Sequence, residues 1–142
     1  MTPIHKAFLT LLRISLGSSE TPPKLTKEQW ANLLELAEAH KLLPMVFEAG
    51  FPLLRSADPA LAAAAKGRVR NRVILQAMRT GEFLELYRRL TQSGATPLVV
   101  KGIVCRRLYA KPDHRPSSDE DVLIPPEQFA LCHETMTRLG MH

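Results

Sequence analysis

Cysteine is scarce: Cys105 and Cys132 are the only two in 142 residues. Their positions show no framework spacing, which excludes a disulfide scaffold and favours a reducing, cytoplasmic setting with free thiols. Nor do they make a zinc site, because Cys132 and His133 are adjacent and do not converge from one helix. Long hydrophobic runs are missing as well. No stretch approaches the roughly 20 apolar residues that span a bilayer, so no membrane partner is expected. The opening "MTPIHKAFLTLLRISLGSSE" has Lys6 and Arg13 on either side of its apolar part and no A-x-A-like site after it. It therefore reads as an amphipathic helix rather than a signal peptide. Aromatic residues make up only 6% of the chain. Phe83 alone lies near the basic residues before Tyr87, which argues against a base-stacking surface. No repeat is visible, and no low-complexity tract beyond Ala62–Ala65.

What is there is an ordinary globular composition. Apolar residues form 45% and charged residues 23%, enough apolar material to oppose disorder, and the length suits one domain with a small appendage. The net charge of +5 is compatible with an anionic partner. It does not choose between a nucleotide, a nucleic acid and nothing specific.

The first two thirds are helical in pattern. Ile4, Phe8, Leu11, Leu12 and Leu16 follow an amphipathic stripe, closed by Gly17 and Pro22-Pro23. Thr26 with Gln29 three residues later forms a capping-box pattern. It opens a helix with Trp30, Leu33, Leu34 and Ala37 on one face. Pro44 forces a restart, and a short helix is expected to end at Gly50. The longest helical pattern begins after Ser56 or Asp58, with Pro59 in its first turn, and ends at Gly94; Gly67 and Gly81 are expected to weaken it. Lys66, Arg68, Arg70, Arg72, Arg79, Arg88 and Arg89 lie along it. They read better as the solvated side of a core helix than as a nucleic-acid track, since Val69, Val73 and Ala77 are equally periodic.

After Gly94 the pattern changes. Residues 96–100, "TPLVV", read as a strand, "GIVCRRLYA" as a helix from Gly102, "DEDVLI" as a second strand, and "PPEQFALCHETMTRLG" as a final helix. The expected fold class is α+β, a helical region over 1–94 followed by a partial core over 95–142.

The second strand opens on Asp119, Glu120 and Asp121. Residues at i and i+2 of a strand share a side, so Asp119 and Asp121 converge while Glu120 faces away. Paired hard oxygen ligands suit Mg²⁺, which completes its shell with water and phosphate oxygens. From the acids alone, a turn cap beside a solvated strand end explains them equally well. Nearby, Lys101 and Gly102 end the first strand where a helix begins, an arrangement that favours phosphate. Arg115 adds a planar donor fork. His114 reads as a solvated loop residue, Tyr109 as packed against the sheet, and His40 as a packing or capping residue.

Together, "PLVVKGIVCRRLYAKPDHRPSSDEDVLI" resembles a nucleotidyltransferase family of the DNA polymerase beta-type superfamily. The resemblance is carried by Lys101, Gly102, Leu108, Tyr109, Arg115, Pro116, Asp119 and Asp121. It extends to a helical lead-in with Trp30, Leu33, Leu34, Ala37, His40 and Pro44, and so runs from about residue 27 to the end. It implies a partial polymerase-beta-like core and Mg²⁺-dependent nucleotidyl transfer, with Mn²⁺ as an alternative ion, from a nucleoside triphosphate to an acceptor that is a protein, a small molecule or an RNA. Asp119 and Asp121 would hold the metal and act in catalysis. Lys101, Gly102, Arg115, Ser117 and Ser118 would bind the nucleotide.

Two departures accompany the resemblance. Ser118 stands where relatives often carry glycine, and the third carboxylate usual in the superfamily has no counterpart on a later strand. After Asp121 the only acids are Glu127 and Glu134, both on the expected final helix. The chain is thus expected to be truncated at its C-terminus or naturally short, and either active or inactive as such. The alternative is a non-catalytic nucleotide-binding or protein-interaction module of the same fold. A nucleic-acid-binding helical domain is a third and weaker reading.

Overall fold

The computed structural model describes residues 1–141. Helix α1 (Pro3–Ser15) is capped by Thr2, whose hydroxyl accepts from the His5 N–H, and it buries Ala7, Phe8 and Leu11. Helix α2 (Lys27–Ala39) has the full capping box: Gln29 N–H donates to the Thr26 hydroxyl and Thr26 N–H donates to the Gln29 side chain. Trp30, Leu33, Leu34 and Ala37 form its buried stripe. The helix closes with Lys41 at φ +59°, and α3 (Leu43–Ala57) starts at once with Pro44 in its first turn.

Helix α3 does not end at Gly50 but runs seven residues further. Gly50 is a contact glycine rather than a stop. The Trp30 ring lies 2.6 Å from where a Cβ would be, so the bare backbone admits the indole. Pro52 sits inside the same helix, and both it and Glu48, whose carbonyl it leaves without a donor, are exposed to water. Asp58 accepts from Leu61 N–H at 3.0 Å and caps α4 (Pro59–Gln92). Its 34 residues form one helix about 50 Å long. Gly67 and Gly81 do not break it: each costs only about 1 kcal/mol relative to alanine.

Helices α1 to α3 and the first half of α4 enclose the main core, with Leu11, Trp30, Leu33, Leu34, Val46 and Leu54 almost fully buried. The second half of α4 leaves it and supports a smaller cluster of Leu90, Ala95 and Cys132, flanked by Leu86, Ile124 and Leu131.

Beside that cluster stands a two-stranded antiparallel sheet. β1 (Leu98–Val99) pairs with β2 (Val122–Leu123) in the register Leu98 to Leu123 and Val99 to Val122. Both strands are shorter than their sequence patterns suggest, although Val100 N–H still donates to Asp121 C=O at 3.0 Å. The "GIVCRRLYA" segment forms a single turn, α5 (Ile103–Arg106). A short 3-10 turn at Pro126–Gln128 leads into α6 (Phe129–Arg138). The fold is therefore α+β and mostly helical. No helix among the described residues is long and apolar enough to cross a membrane. His142 lies outside the described residues.

Candidate active site

Three residues past β1 the chain turns at Gly102, whose φ of +63° and ψ of −111° belong to a region that residues with a Cβ rarely enter. This sharp corner presses the backbone against the acidic segment that precedes β2. A Cβ at Gly102 would overlap the Glu120 carboxylate and lie 3.0 Å from the Asp119 carbonyl oxygen. The Lys-Gly corner and the acidic triplet, 17 residues apart, are thus in direct contact.

Asp121 is half-exposed and pairs with Lys101, Oδ2 to Nζ at 3.2 Å. Asp119 is exposed, and its Oδ1 accepts from the Ser118 hydroxyl at 3.2 Å. Ser117 organises the preceding backbone: its hydroxyl donates to Asp119 C=O at 2.8 Å, and its N–H donates to Gln76 Oε1, also at 2.8 Å. Lys101, Gly102, Ser117, Ser118, Asp119 and Asp121 are all gathered at one end of the sheet. The guanidinium of Arg115 instead lies over the Tyr109 ring, 5.6 Å from its centroid, a cation–π contact. Tyr109 also meets the helical region. It lines a cavity of about 230 Å³ with Ile14 of α1 and Met45 and Glu48 of α3.

Glu120 does turn away from the two aspartates, but into the protein. Its Oε2 accepts from the Ile103 N–H, and its Oε1 pairs with Arg106 Nη2 at 2.9 Å. Arg106 is only 1% exposed, and its Nη2 also donates to the Thr80 hydroxyl of α4 at 3.1 Å. The N–H at the start of α5, expected to face phosphate, is therefore already taken by a carboxylate of the chain. Sequence reasoning missed Arg106, Gln76 and Thr80 as parts of this site. The one available signal was a third acid between the two that the resemblance assigns to a metal.

His114 departs from the solvated loop residue expected of it. Its Nδ1 is 3.0 Å from Glu48 Oε2, and Lys111 pairs with the other oxygen of the same carboxylate. Burial holds the His114 pKa below its ordinary value and outweighs the pull of Glu48, so the contact at neutral pH is a neutral N–H donating to a carboxylate. The basic face of α4 is partly neutralised: Arg68 meets Glu35 at 3.4 Å, Arg72 pairs with Glu38, and Arg88 and Arg89 share Glu85. Those two arginines hold the Glu85 carboxyl at a pKa of about 2.

A family described as uncharacterised nucleotidyltransferase matches residues 26–142. The chain belongs to this nucleotidyltransferase family. The match takes in the helical lead-in and the sheet alike, so both lie within the family's own unit. No curated protein and no solved structure matches the chain. Nucleotidyltransferases act on nucleotides, and membership supports a nucleotide substrate for this member.

Nucleotidyl transfer implies a divalent ion held by carboxylates. Asp119 and Asp121 are hard, solvent-reachable carboxylates, opposed only by one lysine and one hydroxyl. Carboxylate oxygens are the donor type that suits Mg²⁺, which completes its shell with water and phosphate oxygens. No group of three or more His, Cys, Asp or Glu side chains placed to hold a metal occurs among the described residues, so a three-carboxylate, two-metal set is not assembled there.

Proposed function

We propose that this nucleotidyltransferase transfers a nucleoside monophosphate from a Mg²⁺-bound nucleoside triphosphate to an acceptor hydroxyl on a protein, a small molecule or an RNA. In this reading residues 95–142 are a partial polymerase-beta-like core carried by the helical region 1–94. The observation that carries it is the 3.2 Å pairing of Lys101 with Asp121 across the Gly102 corner: a cation for phosphate and carboxylates for a metal share one sheet end.

Asp119 and Asp121 hold the ion. When bound, Mg²⁺ supplies Lewis-acid polarisation of the α-phosphoryl group and charge stabilisation for the attacking and leaving oxygens. Lys101, exchanging Asp121 for the substrate, neutralises the triphosphate. The Ser118 hydroxyl donates to a phosphate oxygen and Ser117 sets the backbone beneath it. Gly102 lets the main chain approach closely, and Arg115 swings from the Tyr109 ring to add its fork. The acceptor oxygen bonds to the α-phosphorus and gives its proton to water as the bond to the β-phosphate oxygen breaks, releasing pyrophosphate.

Thermal unfolding with Mg²⁺ and each nucleoside triphosphate tests the proposal. A nucleotide present at about 100 times its Kd adds about 2.7 kcal/mol, and the gain is expected to vanish in Asp119→Asn and Asp121→Asn. No shift with any nucleotide in a folded sample removes the reading. The lack of a three-carboxylate group among the described residues favours a second reading, a module that binds nucleotide without transferring it. A nucleotide-dependent shift without pyrophosphate release would select it.

A further inference from the structure

Helices α3 and α4 diverge along a groove that the nucleotide site does not use. It holds a cavity of about 830 Å³ floored by Phe47, Phe51, Val69, Val73 and Ile74. A shallower depression sharing Phe51, Ala63 and Lys66 continues it toward Arg55 and Pro59. On α4 the combined groove runs from residue 59 to residue 74, about 22 Å of helix. Val46 and Leu54, behind it, belong to the core proper and are fully buried, whereas Ile74 is half-exposed.

Apart from Glu48, the charged residues along it are basic or histidine. Lys66 and Arg70, one helical turn apart, border the apolar floor, with Arg55 at the far end. None of the three makes an ion pair among the described residues, unlike Arg68 and Arg72 on the neighbouring face, which have partners on α2. The one acid in the groove, Glu48, is already paired with Lys111 and His114. Gly67 also opens onto the groove, and a Cβ there would meet nothing within 4 Å. Neither its backbone nor close packing requires glycine. It costs the helix about 1 kcal/mol relative to alanine, and the result is open floor.

We propose that this groove docks an amphipathic α-helix of a partner protein, about 14 residues long, with an apolar face flanked by Asp or Glu. The length follows from the groove at 1.5 Å per residue, the apolar face from its floor, and the acids from the unpaired Lys66, Arg70 and Arg55. A second copy of this chain is a poor occupant. It carries net charge +5, and its amphipathic first helix contains no acid.

The test uses a fluorescein-labelled peptide of about 16 residues, with leucines at i, i+3, i+4 and i+7 and glutamates flanking them. Its counterpart carries lysine for each glutamate. Fluorescence anisotropy should show saturable binding of the glutamate peptide alone, weakening at least about tenfold between low and moderate salt. Lys66→Glu with Arg70→Glu should weaken it at least about tenfold. Gly67→Phe, which fills the open floor, should abolish it, while Gly67→Ala should retain it; circular dichroism confirms that each variant is folded. Equal binding of both peptides, binding unchanged in Gly67→Phe, or no saturable binding would overturn the proposal. So would self-association in sedimentation velocity that Gly67→Phe dissolves, which would assign the groove to a second copy.

Discussion

Replacing Gly102 with alanine attacks the site at its narrowest point. Two costs combine. The backbone at φ +63° and ψ −111° is sparsely populated for a residue with a Cβ, at about 1–3 kcal/mol. The added methyl also overlaps the Glu120 carboxylate, which must leave Arg106, and a guanidinium only 1% exposed then loses its counter-ion. Breaking a buried pair in this way costs about 3–5 kcal/mol. One backbone shift relieves part of both, so the sum is an upper bound and about 3–5 kcal/mol is expected in total. Urea unfolding followed by fluorescence measures it well, because the single tryptophan, Trp30, is 1% exposed. The decisive control is Glu120→Ala. With the carboxylate gone, Gly102→Ala should cost at least about 1 kcal/mol less than in the parent, a coupling of the size that contacting residues show. A loss below about 1 kcal/mol, or strict additivity with Glu120→Ala, would refute the claim that Glu120 is why position 102 must be glycine.

Gly50→Ala should destabilise by about 1–3 kcal/mol, since the new Cβ would lie 2.6 Å and 2.9 Å from two Trp30 ring carbons; a higher Tm, as helix propensity alone predicts, would contradict this packing. His114 gives a pH signature. Its folded pKa lies below the ordinary 6.5 because of burial, so the unfolded chain binds the proton more readily. Its contribution is fully present above about pH 6.5 and is lost as pH falls toward the folded pKa. Urea midpoints across that range should flatten in His114→Asn relative to the parent. Lys101→Met should leave stability within about 0.5 kcal/mol, because Lys101 is 70% exposed, yet should weaken the Mg²⁺-nucleotide shift; an equal loss in both would make Lys101 structural.

Local chemistry was legible because it repeats over a few residues. The Thr26–Gln29 box and the Trp30 to Ala37 stripe appear where spacing alone places them, and of the two cap candidates, Ser56 and Asp58, the structure uses Asp58. The α+β class followed from the change of period after Gly94. Gly50 was misread as a stop because the reason for it lies in another helix, on a tryptophan 20 residues earlier. Glu120 was read only as facing away, since strand alternation says which side a residue takes and not what waits there. Its partner Arg106 sits in a run of two arginines that nothing local distinguishes. The contacts that hold the site to α4, Arg106 to Thr80 and Ser117 to Gln76, span 26 and 41 residues, beyond the reach of any periodicity.

Those long-range contacts form a polar seam under the acidic segment, and stability alone does not account for it. Arg106 Nη1 and Gln76 Nε2 are both buried without a partner, and each such group costs about 1–3 kcal/mol. A buried ion pair of this kind is often matched or exceeded in stability by apolar residues of similar volume. What apolar residues lack is direction. Glu120 places one oxygen on the Ile103 N–H and the other on Arg106, so the turn after Gly102 and the segment bearing Asp119 and Asp121 are held by a single carboxylate. Gln76 holds Ser117 in the same frame from α4. The seam sacrifices hydrogen-bond satisfaction and gains a defined position for two aspartates that face water. On the proposed function, that exchange suits carboxylates whose present partners, Lys101 and the Ser118 hydroxyl, give way to a cation.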